Sequence, residues 1–348
     1  MANKFLVIDN DYARLSGSSK FIYEELEKLI SYDLIWDEKW SKSKSYDKKI
    51  FDNYDNILFI HSFLPLDQIF RLRKKNIIWI PMYDSLYNLN QLNNIFWKLI
   101  KLLDIKIISF CDAVANKCKK NSINYFNAKY YLNTSNKINY NFKKFNILFW
   151  DRGELKIRDW LYYFKKDEVE KITIIERPDP RKKASFVSDQ EIKDFKIDIK
   201  KIGFVEKSLY ENYLFNHNVF IAPRFREGVG LSFLEALAHG MYIMGYDAPT
   251  MNEYLKDEKV GRCIKNRNDS NKKVYIKDII NSQEYRLKLN THNYKNYRAT
   301  ISALKEFLLK TDKKTLNKNK DLFYILIYQN FYNFFFLIKR ILIKIKII

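Results

Sequence analysis

Two doubly wound α/β domains in tandem, followed by a tail of a different kind, are what this sequence predicts. Three observations carry that expectation. Short continuous apolar runs alternate with amphipathic stretches from the first residues onward. The alternation breaks at the polar stretch NTSNKINYNFKK (133–144) and then restarts. The scarce glycines and prolines, 8 and 6 among 348 residues, gather at 223–249. A chain of this length also exceeds one comfortable hydrophobic core, so two domains are expected.

The first set of strands is FLVID (5–9), YDLIW (32–36), NILFIH (56–61), NIIWIP (76–81) and KIISF (106–110). Between them lie helical patterns such as SKFIYEELEKLI (19–30), LDQIFRLRKK (66–75) and LNNIFWKLIKLL (92–103). Continuous apolar strands joined by helices indicate a parallel sheet covered on both faces. The second set is FNILFW (145–150), KITIIE (171–176), KIGFV (201–205), NVFIAP (218–223) and MYIMGY (241–246), with helices at 155–165, 208–216 and 231–239. These patterns divide the chain into domains at 1–142 and 143–312, then a basic, aromatic tail at 313–348. In such an architecture ligands bind at the carboxyl ends of the strands, here in a cleft between the domains.

Lys and Arg outnumber Asp and Glu by 62 to 41, giving a net charge of +21 and favouring anionic partners. Lysine is spread along the whole chain, however, and no helix-turn-helix spacing, aromatic RNA-binding stretch or zinc framework is present. Nucleic acid is therefore excluded as the expected partner. Cys111, Cys118 and Cys263 make an odd number at spacings unsuited to zinc, and read as free buried thiols of a reducing compartment. The N-terminal apolar run before Asp9 and Asp11 is too short for a signal peptide, so a cytoplasmic chain is expected.

The stretch NVFIAPRFREGVGLSFLEALAHG (218–240) carries the chemistry. A buried strand ends at Pro223, a loop holds Glu227, Gly228, Val229 and Gly230, and a helix of good formers runs from Leu231 to a stop at Gly240. Two glycines just ahead of a helix let backbone amides approach a ligand, and the helix dipole favours negative charge there. Glu235, just over one turn into that helix, can face the same crevice and accept paired hydroxyls.

Glu227, Glu235, the Ala-rich helix, Gly240, a strand and Glu253 follow one another in an order that resembles family-4-type retaining glycosyltransferases (glycosyltransferase group 1, bacterial, GT-B fold). The preceding GFVEKSLYENYLFNHNVFIAP (203–223) resembles that family's base-binding strand, helix and following strand. The resemblance implies two Rossmann-like domains and a nucleotide-sugar donor. It gives Glu235 the ribose hydroxyls, the amides of Gly228, Val229, Gly230 and Leu231 the sugar hydroxyls and diphosphate, and Glu227 the transferred sugar near its reacting carbon. Val229 replaces the family's usual aromatic, and Met241-Tyr242 replaces a small residue and Pro, which bears on sugar selectivity.

In ILFWDRGELKIRDWL (147–161) a strand end is followed by Arg152 and Lys156. The same resemblance makes them the cations that neutralise the leaving diphosphate, so no obligatory metal and no other cofactor is implied. Asp151 stands at the family's glycine, and Arg158 competes with Lys156. In the first domain Gly17 lies between the first strand and helix, where relatives have a glycine loop near the donor phosphates, and His61 ends a strand where a His of relatives contacts the donor sugar near the reaction centre. Asp84, after another strand, is a candidate for an acceptor hydroxyl, with a turn-forming role as its alternative. Asp9-Asn10-Asp11 mimics a metal-holding D-x-D, but two Asp around an Asn also mark a strand turning into a loop.

The tail, with LFYILIYQNFYNFFFLI (322–338) followed by Lys339, Arg340, Lys344 and Lys346, is too interrupted to span a bilayer. It reads as an interfacial segment at an anionic membrane surface, or as a final helix packed on the first domain. The expected function is thus sugar transfer, catalysed with Glu227 and His61, to a glycan or glycolipid of lipopolysaccharide, lipooligosaccharide or capsule. The enzyme would sit peripherally at the inner face of the cell membrane. A GT-B nucleotide-sugar epimerase or a phosphorylase is the alternative, and oligomeric state is open.

Overall fold

The computed structural model describes residues 4–14, 17–37, 49–61, 63–179, 182–202, 206–265, 273–310, 325–328 and 330. The chain divides into two compact units. The first comprises 1–110, 114–128 and 301–348, the second 111–113 and 129–300.

In the first unit six strands, β1 (Phe5–Asn10), β2 (Tyr32–Asp37), β3 (Asn56–Ile60), β4 (Asn76–Ile80), β5 (Lys106–Ser109) and β6 (Tyr125–Asn127), form one sheet. Its order is β2-β1-β3-β4-β5-β6, with every neighbouring pair parallel. Five of the six coincide with the apolar runs of the sequence. Phe5, Val7, Ile57, Leu58, Phe59 and Ile60 have no exposed surface, as expected of strands covered on both faces. β6 is a short edge strand whose YFN carries no continuous apolar run.

The second unit repeats the plan with β7 (Phe145–Asp151), β8 (Val169–Glu176), β9 (Ile197–Lys200), β10 (Val219–Ile221), β11 (Tyr242–Tyr246) and β12 (Gly261–Ile264). The order is β12-β11-β10-β7-β8-β9, again parallel throughout. The strand expected at 201–205 is instead Ile197–Lys200, and residues 203–205 lie outside the described ones. Lys196, with φ +50°, closes the preceding helix Asp189–Phe195 and starts the strand at once. β9 is an edge strand, and its alternating I-D-I-K hides it from a search for apolar runs. The helix expected over 155–165 is a single turn, Arg158–Leu161.

The units do not part at residue 142, where the sequence placed the boundary. Residues 129–142 belong to the second unit, because its long helix, Gln283–Ile301, takes up their backbone: Asn290 Nδ2 donates to the Leu132 carbonyl at 3.1 Å and Gln283 Nε2 to that of Asn139 at 2.8 Å. The Ser135 amide donates to the carbonyl of Ala238 at 2.8 Å. Conversely, the helix Leu304–Leu309 belongs to the first unit. The buried Lys106 ammonium on β5 donates to the carbonyls of Phe307, Leu308 and Lys310, a cation on the negative end of that helix.

The expected tail, 313–348, falls outside the described residues except at 325–328 and 330. There Ile325 is fully buried, and the Tyr328 ring lies 6.3 Å from Phe96 of the helix Asn94–Leu102. Among the described residues no helix is long and apolar enough to cross a membrane.

Both sheets reverse direction once. In the first the chain winds outward from β1 to β2 and then returns to the other side of β1 with β3; in the second it winds from β7 through β8 to β9 and returns beside β7 with β10. Loops leaving the carboxyl ends of the two strands at such a reversal diverge and leave a crevice, which is where open α/β sheets take their ligands.

Candidate functional site

In the second unit the reversal point is occupied by guanidinium groups. Arg152 leaves β7, Asp179 follows β8, and Arg224 follows β10, so the three side chains come from adjacent strands. Arg152 Nε donates to Asp179 Oδ1 at 2.9 Å, and Arg152 Nη2 donates to the same oxygen. Arg224 Nη2 reaches both Asp179 oxygens at 2.9 Å. Arg224 Nη1 also stands 3.9 Å from the carboxylate of Glu227, which is buried. Two arginines around one aspartate leave one positive charge at the end of the sheet, which the carboxylate of Glu227 formally balances.

The loop carrying Arg152 is tied down by its neighbours. Asp151, the departure from the family's glycine, is 1% exposed and accepts the amides of Gly153 at 2.7 Å and Ser185 at 2.6 Å. Glu154 accepts the amide of Phe225 at 2.7 Å, joining this loop to the one that carries Arg224. The acidic residue therefore staples the turn.

Beyond Glu227 the chain enters the helix Leu231–Ala238 through Gly230, whose φ of +75° is left-handed. A Cβ there would lie 1.9 Å from the ring of Phe233, so only glycine fits. Among the described residues no hydrogen bond takes up the amides of Leu231 and Ser232, the first two of the helix. They remain available to an acceptor at the positive end of the helix. Gly228 and Val229 are buried beside them.

Glu235 lies one turn further along. Its carboxyl has no hydrogen-bond partner among the described residues, and burial pushes its pKa up to about 7, with Glu211 adding repulsion and Lys207 partly offsetting it. Tyr210, buried and 5.3 Å ring to ring from Trp150, feels the Glu235 charge. A desolvated carboxyl without a partner is costly for a fold and suited to taking hydroxyls from a ligand. Glu253 differs: it accepts the amides of Asp112 at 2.6 Å and Ala113 at 3.1 Å, so its carboxylate is already used.

Lys156 is exposed in the turn before Arg158–Leu161, and no contact joins it to Arg152. Arg158 pairs with Glu191 at 3.2 Å instead. The second cation beside Arg152 is thus Arg224, which the sequence reading missed. Its only signal was its position directly after a strand-ending proline.

In the first unit His61 follows β3 with φ +54°, at the reversal point between β1 and β3. Its Nδ1 lies 2.9 Å from Oδ1 of Asp9, the fully buried penultimate residue of β1. Asp9 therefore faces His61. Asp84 lies in the first turn of the helix Tyr83–Asn88 and accepts the Ser85 amide at 2.9 Å. Gly17 begins the helix Gly17–Leu26. His217, by contrast, is structural: it bonds the Tyr213 carbonyl at 2.6 Å and the Thr173 hydroxyl at 2.8 Å, and burial lowers its pKa to about 4.

Residues 183–296 match the family model described as glycosyl transferases group 1. No curated relative matches the chain by sequence. Among solved structures it is similar to the N-terminal domain of trehalose-6-phosphate phosphatase from Candida albicans, at 12% identity and a TM-score of 0.54 over 88% of this chain and 97% of that one. It is also similar to sucrose-phosphate synthase from Thermosynechococcus elongatus, at 12% identity and a TM-score of 0.51 over 96% and 99% of the two chains. A lipopolysaccharide outer core galactosyltransferase, WaaB, matches at 12% identity with a TM-score of 0.49 over 95% and 99%. At these identities the structural likeness speaks for the fold alone. The paired parallel sheets are those of the GT-B fold, and the stretch 183–296, which contains the Glu227–Glu235 motif, is similar to the glycosyl transferases group 1.

Proposed function

We propose that the protein transfers a sugar, with retained anomeric configuration, from a nucleotide-sugar donor to a glycan or glycolipid acceptor. One observation carries the donor assignment: two guanidinium groups and a partner-free helix N-terminus lie at the reversal point of the second sheet, with the unpaired carboxyl of Glu235 one turn along. That set has groups for the sugar, the diphosphate and the ribose of a nucleotide sugar. Arg152, Arg224 and the amides of 228–231 would receive the diphosphate and sugar oxygens, and Glu235 the ribose hydroxyls. Lys156, exposed and apart, has a lesser part in this reading.

In the reaction the bond from the anomeric carbon to the diphosphate oxygen breaks and a bond to the acceptor oxygen forms on the same face. The acceptor's proton passes to the departing diphosphate oxygen. Arg152 and Arg224 stabilise the negative charge that develops there, and no step calls for a metal. Glu227 and His61 serve the transferred sugar, and Asp84 remains a candidate for the acceptor.

A thermal-shift screen over UDP-, GDP-, ADP- and CMP-sugars tests the donor assignment. A donor at 100 times its Kd stabilises the fold by about 2.7 kcal/mol, so one of the four should raise the Tm by several degrees. If millimolar concentrations of every one leave the Tm unmoved, the donor assignment is wrong.

The acceptor is inferred to be a growing cell-surface glycan, in lipopolysaccharide, lipooligosaccharide or capsule assembly, with the enzyme working at the cytoplasmic face of the membrane. Support comes from the cationic sequence of 339–346 and the net charge of +21. Each Lys or Arg near an anionic surface adds roughly 1 kcal/mol. The full chain should therefore sediment with phosphatidylglycerol vesicles, and removal of 321–348 should release it. Equal sedimentation of both forms would reject the interfacial tail.

A further inference from the structure

Asp9 is the penultimate residue of β1, and the sequence suggests nothing more for it than a turn or a metal ligand. The fold sets it to another use. β1 and β3 are neighbours, with Ile8 beside Phe59, so Asp9, the next residue of β1, and His61, just past the end of β3, come together at the carboxyl edge of the first sheet. Asp9 is fully buried and every bond it makes is an accepted one: from His61 Nδ1 at 2.9 Å and the Asn10 amide at 2.7 Å on Oδ1, and from the Tyr23 hydroxyl at 2.6 Å on Oδ2. Tyr23 is itself held edge-on by Trp36, 5.7 Å away ring to ring. A carboxylate only accepts, so the imidazole nitrogen facing it carries the proton. The other nitrogen, Nε2, is then left as an acceptor on the far side of the ring. The His61 ring has no further hydrogen-bond partner among the described residues, and the side chain keeps 16% exposure. Its left-handed backbone, with φ +54°, is a conformation that a non-glycine residue holds only when its surroundings fix it.

We propose that Asp9 is the positioning residue for His61, fixing the Nδ1–H tautomer so that Nε2 presents a lone pair to a sugar hydroxyl. Tyr23 completes the device by holding the second oxygen of Asp9. The inference rests on the role given above to His61 and adds the residue that makes its chemistry directional. A protonated Nε2 would meet a hydroxyl as a donor; the tautomer set by Asp9 makes it an acceptor, which orients the hydroxyl's own proton toward the ring.

The imidazole nitrogens can be read directly by ¹⁵N-resolved NMR of the full chain, with the His61 signals assigned by their loss in His61→Gln. In the wild-type protein Nε2 of neutral His61 should show the unprotonated resonance and Nδ1 the protonated one. In Asp9→Asn the tautomer should move toward Nε2–H. The turnover of the nucleotide sugar found by thermal shift, followed by release of nucleoside diphosphate, should fall roughly 10- to 100-fold in kcat. Its KM should stay within about twofold, as expected when only orientation for the reaction is lost. A wild-type His61 protonated on Nε2 would overturn the proposal, and so would an Asp9→Asn protein with undiminished kcat. If Asp9→Asn does not fold, the wild-type spectrum decides alone, since it needs no variant. Full activity in His61→Gln would instead remove the catalytic role of His61. An inactive His61→Gln beside an unimpaired Asp9→Asn removes only the part given to Asp9.

Discussion

Replacing Arg224 by alanine is expected to lower kcat by roughly 10²- to 10³-fold, the usual cost of one lost donor at a site of developing negative charge. Arg224 and Arg152 now share the carboxylate of Asp179, with Arg224 touching both of its oxygens at 2.9 Å. A diphosphate offers the same fork of oxygens with more charge, so it can take the guanidinium groups over without new side-chain positions. Arg224→Lys should recover only part of the loss, because an ammonium cannot reproduce the two-pronged contact. Lys156→Ala should stay within a few-fold of wild type, since Lys156 is exposed and apart from Arg152. Steady-state kinetics of nucleoside diphosphate release will measure all three. An Arg224→Ala enzyme close to wild type, or a Lys156→Ala enzyme as poor as Arg224→Ala is expected to be, would return the second cationic role to the lysine. A melting curve for Arg224→Ala belongs beside the kinetics, because Asp179 keeps Arg152 as a partner and the fold should survive.

What could be read in the sequence, and what could not, divides along one physical line. Central strands of a parallel sheet are buried on both faces, so β1, β3, β4, β7 and β11 appear as unbroken apolar runs. Edge strands are half-exposed; β2 still shows through its apolar LIW, but β6, β9 and β12 (YFN, IDIK, GRCI) look like loops to the same search. The glycine turn and Glu235 were legible because they sit within one turn of each other in the chain. Asp179 was not, because its bond to Arg224 spans 45 residues and exists only because β8 and β10 flank β7. Asp9 and His61, 52 residues apart, were each noticed but not paired, for the same reason. The boundary near 142 failed likewise, since the partners of 129–142 lie on the helix Gln283–Ile301. Local chemistry shows in local sequence; chemistry assembled by strand order does not.

Glu235 gives the second large effect, with opposite signs for binding and stability. Glu235→Ala should weaken nucleotide-sugar affinity roughly 10- to 100-fold, since hydrogen bonds to a charged group contribute about 1.5–3 kcal/mol. Isothermal titration can read this, and unchanged donor affinity would remove Glu235 from the site. The group's pKa near 7 in the folded protein stands above the usual carboxylate value of 4.5 because burial disfavours the charge. Folding therefore takes up a proton between pH 4.5 and 7, and the stability tied to the neutral carboxyl is fully present below 4.5 and lost as the pH rises through 7. At pH 8 the wild-type protein carries a poorly solvated charge that Glu235→Gln lacks, so the variant should melt higher than wild type at pH 8 and equally at pH 4.5. The donor reverses the balance. Two hydroxyls donating to the ionised carboxylate favour its charged form, so affinity should rise with pH up to about 7 and binding below that should release a proton. In Glu235→Gln that pH dependence should vanish. A wild-type affinity flat from pH 5 to 8, or a glutamine variant less stable at pH 8, would mean that the carboxyl is satisfied within the fold and is not held in reserve for a ligand.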